Sequence, residues 1–318
     1  MSDDTSWLVE DDEAGLTLAA FLRRRLPGQP WRRLKGWVET GKVSVDGRRE
    51  LEVASRVLPG HRVELDMGAP RPSADGPQPR IVYQDEELLV IDKPAGVTSV
   101  PFEEDDSGTA LDLVRVSLRR QGARGTATRL HVVHRLDRDT SGLMLFARTK
   151  RAEKALAAQL REHTVERVYL CVAHGAVRSG RIATRLVDNR GDGLRGSTRK
   201  ADAGKLAVTH VKALVTLAEA TVCQVRLETG RTHQIRIHLA EQGHPLVGEH
   251  VYVRDFVRAG GRLVESPRML LHAATLGFLH PVRELPRRFA SPLPGDFVAV
   301  LERLGGRAVD LERALGQV

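Results

Sequence analysis

LHVVHRLDRDTSGLMLFAR, residues Leu130 to Arg148, decides how the rest of the chain is read. Its ends, Leu130–His134 and Leu143–Ala147, alternate apolar residues over short runs and read as strands. Between them lies RLDRDTSG. Asp137, Asp139, Thr140 and Ser141 can satisfy local backbone groups, and Gly142 tolerates positive φ, so the segment reads as a turn. A turn on a rigid two-strand base is a common place for working side chains. This one sets a single carboxylate, Asp137, between the guanidinium groups of Arg135 and Arg138, more charge than a plain turn needs.

The surrounding chain is basic. It has 318 residues, 49 Lys and Arg against 41 Asp and Glu, and a formal net charge of +8. Such a balance points to a polyanionic partner, nucleic acid before an acidic membrane surface. A hydrophobic content of 41% suffices for a sizeable core, but aromatics at 4% leave the packing to aliphatic side chains. The length suggests two domains, or one domain with an appendage. Only Cys171 and Cys223 occur, each inside an apolar strand-like run, which reads as two buried thiols and a reducing compartment. No apolar run is long enough to span a membrane, and MSDDTSWLVEDDEAG at the start is acidic rather than signal-like. The expectation is a cytoplasmic protein without membrane contact.

Read in order, the first dozen residues look like a mobile acidic tail. Leu18, Phe21, Leu22 and Leu26 then recur at helical spacing beside the bunched Arg23, Arg24 and Arg25. After Pro27-Gly28, Pro30 opens a second helix with Trp31, Leu34 and Val38 on one stripe and Arg32, Arg33 and Lys35 off it. Asp46-Gly47 marks a tight hairpin, and Val57 to Leu65 supplies a further strand. GAPRPSADGPQPR reads as a linker, giving domains at 1–67 and 80–318 separated by 68–79. Beyond it, Ile81–Tyr83 and Leu88–Ile91 form a hairpin, and Thr109 with Asp112 caps a helix running to Gly122. A further helix is expected from Arg151 to His163. Thr221–Glu228 alternates as a strand, and Thr232 caps a helix ending at Gly243. Arg231 and Arg236 then lie near a helix N-terminus, suited to an anion. A strand over Leu270–Phe278 and a helix from Asp296 complete the chain.

Several chemistries lack support. GDGLRG at Gly191–Gly196 matches a dinucleotide pattern, yet a polar stretch precedes it and no helical run follows. It reads as a hairpin loop whose arginines are candidates for RNA contact. Neither a Walker-type GK[ST] nor HExxH nor a cysteine-pair zinc spacing occurs, and His131 and His134 fall on opposite faces of a strand, so no metal is expected. Ser141 lacks a nucleophile-elbow signature.

HRLDRDTSG is similar to the active-site signature of the pseudouridine synthases, in particular the large family acting on ribosomal and transfer RNA. TGRTHQIRIHLA at Thr229–Ala240 resembles that family's other long motif. Shorter matches are VYQDEELLVIDKPAGV near Lys93, RVYLCVAHG around Tyr169 and LLHAATLGFLHP around His272. They fall in the family's order from roughly Arg80 to the C-terminus. The N-terminal helices and small sheet resemble the alpha-L RNA-binding domain that precedes the catalytic domain in some members.

The resemblance implies an α+β fold, with a mixed, mostly antiparallel central sheet flanked by helices, behind a small N-terminal α+β domain. It implies isomerisation of uridine to pseudouridine in structured RNA, ribosomal RNA ahead of transfer RNA. The competing reading is a non-catalytic RNA-binding or assembly factor on the same scaffold. Asp137 becomes the catalytic carboxylate, since a positioned acid can stabilise or trap an electron-poor sugar. Equally it can take a sugar proton or add to the ring. Arg236 becomes its ion-pair partner, with Arg231 second in line and better suited to a phosphate. Tyr169 becomes the active-site tyrosine, which packs on the extruded uracil and is a candidate to assist proton removal from carbon 5. Arg135 enters the duplex as the nucleotide leaves, offsetting a flipping cost of a few kcal/mol. Lys93 and His272 are further candidates for substrate binding. The rearrangement changes no oxidation state and adds no group, so no cofactor is implied, and a monomer is expected. The chain departs from the family pattern at Arg167, often lysine, and at Glu249, often aspartate. No role is assigned to Glu249.

Overall fold

The computed structural model describes residues 5–70, 77–101 and 107–307. The expected linker residues 71–76 and the first four residues of the expected tail lie outside these. Two compact units emerge: one from the described residues of Met1–Gly76 together with His250–Gly261, the other from Pro77–Glu249 and the chain from Arg262 onward.

In the first unit, β1 (Thr5–Leu8), α1 (Leu18–Arg25), α2 (Trp31–Glu39), β2 (Val43–Val45), β3 (Arg48–Arg49) and β4 (Arg62–Leu65) follow one another. The strands form one sheet in the order β1-β4-β2-β3. Phe21, Leu22, Leu34, Val38 and Val63 are fully buried between helices and sheet. Trp31, expected on that stripe, is exposed. Asp46 and Gly47 take φ of 51° and 72°, as a tight hairpin with two positive-φ central residues requires. Residues 5–13 are not a mobile tail. Trp7 packs edge-on against Phe21 at 6.4 Å, and the acidic residues meet the arginines of α1. Arg24 pairs with Asp12 at 2.5 Å, and Arg25 pairs with the buried Glu13 at 2.6 Å.

The second unit is built on an eleven-stranded sheet. Its strands are β5 (Arg80–Gln84), β6 (Leu88–Lys93), β7 (His131–Val132), β8 (Ser141–Ala147), β9 (Glu166–His174), β10 (Gly180–Val187), β11 (Gly196–Thr198), β12 (Lys205–Thr216), β13 (Ala220–Leu227), β14 (Leu271–Leu279) and β15 (Pro286–Ala290). The main path runs β11-β10-β12-β13-β9-β14-β8-β6-β5, with β15 beside β14 and β7 beside β8. Every pairing is antiparallel except β14 with β8. The fold is therefore α+β with a mixed, mostly antiparallel sheet.

Alternation assigns the faces. Met144 and Phe146 of β8 point with Leu89 and Ile91 to one core, shared with α3 (Ala110–Arg120). Leu143 and Leu145 point with Leu88 and Val90 to another, covered by α4 (Lys150–Arg161). Buried on both sides, each such side chain adds about 1.5–3 kcal/mol of transfer free energy. α3 starts on a capping box of Thr109 and Asp112, and Thr149 caps α4. Cys171 and Cys223 face each other across β9 and β13, both free and buried. At the GDGLRG loop, the preceding Arg190 pairs with Asp192 at 3.1 Å and Arg195 pairs with Asp188, so these arginines already hold carboxylates. Among the described residues no helix is long and apolar enough to cross a membrane.

Gly142 explains why the central turn must end in glycine. Its φ is +108°, and a Cβ there would stand 2.3 Å from the carbonyl oxygen of Ala273. The parallel partner β14 passes directly over this position.

Candidate active site

The backbone on both sides of Asp137 is pinned. The Ser99 hydroxyl accepts from Leu136 N–H at 3.0 Å and donates to the Leu136 carbonyl at 2.6 Å. Lys93 Nζ donates to the Arg138 carbonyl at 2.9 Å, and Thr140 N–H closes a turn on the Asp137 carbonyl at 3.2 Å. Arg138 turns aside to Asp139 at 3.2 Å. What remains free to project is the Asp137 side chain, 20% exposed in the wall of a cavity of about 570 Å³.

Lys93 and His272 frame this turn and do not line the cavity. Lys93 is fully buried, and its other two bonds go to the carbonyls of Pro94 (2.9 Å) and Val97 (2.7 Å). An ammonium has three donors, and here main-chain oxygens take all three. Burial pushes its pKa down to about 7, against the pull of Asp139 and Asp137. The three carbonyls match the charged form, which favours an ammonium in this site. His272 is also fully buried; its Nε2 donates to the Ser291 carbonyl at 3.3 Å and its Nδ1 accepts from the Ser141 hydroxyl at 3.0 Å. Burial lowers its pKa and keeps it neutral. Lys93 and His272, expected at the substrate, have their polar atoms committed to the frame.

The second long motif supplies the opposite wall. Its helix, α5 (Gln234–Glu241), begins later than expected, and Thr232 does not cap it. The capping position falls to His233, at a left-handed φ of 56°. A non-glycine residue there is strained, and such strain concentrates at functional sites. It aims His233 Nε2 at Asp137 Oδ1, 4.0 Å away. One turn on, Arg236 brings Nη1 to 3.7 Å from Asp137 Oδ2. Arg236 is itself forked onto Glu249, Nε to Oε2 at 2.7 Å and Nη2 to Oε1 at 2.8 Å, with both residues buried. Glu249, given no role from sequence, therefore orients the arginine that meets the acid.

Behind these groups runs a buried polar chain. The Thr229 hydroxyl donates to Gln234 Oε1 at 2.7 Å, which also accepts from Arg231 N–H at 3.0 Å. Gln234 Nε2 donates to Thr209 Oγ1 at 2.9 Å, and His238 bridges Thr209 (2.8 Å) and Thr184 (2.9 Å). Burial holds the His238 pKa down at about 4, a neutral bridge. A fully satisfied network of this kind fixes position as well as adding stability. It locks α5 to β12 and β10.

Tyr169, on β9, is 8% exposed and lines the same cavity. Burial raises its pKa, the Arg167 charge opposes that rise, and Asp137 adds to it. Arg135 and Arg231 are exposed at the cavity wall, and Arg231 Nε donates to the Leu206 carbonyl at 3.0 Å. The structure thus brings Asp137, Arg236, Tyr169, Arg135 and Arg231 to one cavity, with Arg236 rather than Arg231 beside the acid. Sequence reasoning missed His233, Ser99 and Glu249. The signal for Glu249 was slight, a carboxylate standing alone after the apolar PLVG.

The family model described as RNA pseudouridylate synthase matches residues 87–241, the span that carries Asp137, Tyr169 and Arg236. A ribosomal large subunit pseudouridine synthase D of Xylella fastidiosa is 37% identical, over 96% of this chain and 95% of its own length. The chain belongs to the RNA pseudouridylate synthase family. As a pseudouridine synthase it is an isomerase acting on uridine in RNA, and a purely RNA-binding role is disfavoured. A pseudouridine synthase D of Pseudomonas aeruginosa is 36% identical over 91% of this chain and 92% of its own. The fold is shared with human RNA Pseudouridylate Synthase Domain Containing 4, at a TM-score of 0.58 and 24% identity, over 71% of this chain and 93% of that one.

Proposed function

We propose that this pseudouridine synthase modifies structured ribosomal RNA, with transfer RNA as the second candidate, and that Asp137 is its catalytic acid. The observation carrying the assignment is the placement of Asp137: a carboxylate on a doubly pinned turn, 3.7 Å from Arg236, in the cavity that Tyr169 also lines. Extrusion of the target nucleotide delivers uracil to that cavity. Asp137 then faces the sugar, Tyr169 packs on the base, and Arg236 keeps the acid aimed. Arg135 fills the space left in the helix, and Arg231 holds a phosphate. Ribosomal RNA is favoured because the curated relatives bear that substrate in their names and align over nearly their full length.

The domains are read as an N-terminal RNA-holding domain to residue 67, a linker over 68–79 and the catalytic domain from 80. The exposed Arg32, Arg33, Arg48 and Arg49 offer the first of these a phosphate-binding surface. A cytoplasmic monomer is the form proposed to act.

Asp137→Ala tests the assignment. With transcribed large-subunit ribosomal RNA the variant is expected to bind as tightly as wild type and to form no pseudouridine. Undiminished product from this variant removes Asp137 from the chemistry.

A further inference from the structure

We propose that Arg167 is the cation that takes up the negative charge of the uracil when it separates from its sugar. This rests on reading the Asp137–Tyr169 cavity as the uridine site, and adds a residue to which no role is given above. Arg167 and Tyr169 are two apart on β9, so they share a face, and both line the cavity. Arg167 is 7% exposed. Its one hydrogen bond among the described residues runs from Nη2 to the Glu228 carbonyl at 2.9 Å, and its Nε is buried without a partner. No described carboxylate stands within ion-pair distance.

Two titratable groups beside it are neutral. Tyr169 carries its proton, and His134, pressed down to about pKa 4 by burial and by this same guanidinium, carries no charge. The chain also makes room for the group. A Cβ on Gly230, itself in the cavity wall, would meet Arg167 Nη1 at 2.5 Å.

Burying a guanidinium without a counter-charge is costly, and the cost is recovered only if an anion arrives. Two anions can come: an RNA phosphate or the base. Phosphates stay largely hydrated and suit the exposed Arg231 and Arg135. A nearly buried cation beside Tyr169 suits a charge that exists only during reaction.

The chemistry creates one. The C1′–N1 bond breaks with both electrons remaining on uracil, where the charge spreads over N1, O2 and O4. After the base turns, an electron pair at C5 forms the new bond to C1′. C5 loses its proton and N1 gains one, so atoms, electrons and charge balance without any co-reactant. A guanidinium donating to a ring carbonyl is worth most while the ring is anionic, which makes it catalytic rather than merely binding.

The test uses large-subunit ribosomal RNA transcribed with uridine or with 5-fluorouridine, under single turnover, following loss of the N-linked nucleoside. Fluorine withdraws charge and makes the base a better leaving group, so it needs the cation less. Arg167→Met is expected to slow uridine conversion about 100-fold at saturating enzyme, with RNA affinity within about threefold of wild type. On the fluorinated transcript the loss shrinks to about tenfold, and Arg167→Lys recovers at least about tenfold of the uridine rate. The ratio between transcripts is taken on the same protein, and thermal unfolding checks that each variant folds. Equal losses on both transcripts overturn the proposal. So does a defect confined to RNA affinity, which marks a phosphate anchor, or an undiminished rate in Arg167→Met. Wild-type protein that leaves both transcripts unchanged overturns the reading of the cavity itself.

Discussion

Arg236 gives two of its three nitrogens to Glu249 and turns only Nη1 toward Asp137, at 3.7 Å. The arginine is aimed by a buried carboxylate that does not line the cavity. A guanidinium held bidentately cannot swing, so the gap to Asp137 is set by Glu249 as much as by α5.

Glu249→Gln keeps the shape but replaces one charge-assisted bond with a weaker one. The rate of pseudouridine formation is expected to fall about 100-fold, about 2.7 kcal/mol of transition-state stabilisation, with RNA affinity little changed. Glu249→Asp keeps the charge and recovers part of the rate. A full-rate Glu249→Gln enzyme, measured under single turnover, contradicts the aiming role.

The arginines of the first unit divide into two groups, which sharpens the expectation about RNA. Arg24 and Arg25 already hold Asp12 and Glu13, whereas Arg32, Arg33, Arg48 and Arg49 are exposed. Changing the second group to alanine is expected to weaken RNA binding and flatten its salt dependence, by about 0.7–0.9 in slope for each phosphate no longer neutralised. The same change at Arg24 and Arg25 is expected to cost stability first. Titration of affinity against salt separates them, and an unchanged slope in the first variant makes that surface a solvated face.

The His238 bridge predicts a pH dependence. Its folded pKa, about 4, lies below the ordinary 6.5, so between those values the unfolded chain binds the extra proton. Stability is full above pH 6.5 and falls as the pH drops toward 4, by up to roughly 1.4 kcal/mol per pH unit from this group. Denaturant unfolding measured from pH 7.5 to 4.5 is expected to show that slope, reduced in His238→Gln, which carries no titrating group. Identical slopes in the two proteins assign the acid sensitivity elsewhere.

Local chemistry was legible wherever the residues involved are close in sequence. The turn around Asp137, the Thr109 and Asp112 capping box and the Asp46-Gly47 hairpin follow from side chains acting on neighbouring backbone. The residues meeting at the site came from motif resemblance, because no spacing places Arg236 beside an acid 99 positions earlier. The frame bonds of Lys93 and His272 were hidden for a physical reason. A sequence shows that a side chain can donate, not that buried carbonyls have already taken its donors. Residues 5–13 misled in the other direction, since acidic composition hid both the pairing of Thr5–Leu8 with β4 and the ion pairs of Asp12 and Glu13 to α1. The strand order was equally hidden. Alternation marks β14 as a buried strand but cannot say that it lies between β9 and β8.

That placement has a consequence for how the site assembles. Tyr169 on β9 and the helix of Arg236, tied to β12 and β10, belong to one half of the sheet and the Asp137 turn to the other, and the strand Leu271–Leu279 is the seam joining them. Only when that strand pairs with both β9 and β8 does the sheet hold the acid against the tyrosine. Assembly of the site therefore waits on a strand far downstream of the acid in sequence, a constraint set by strand order alone.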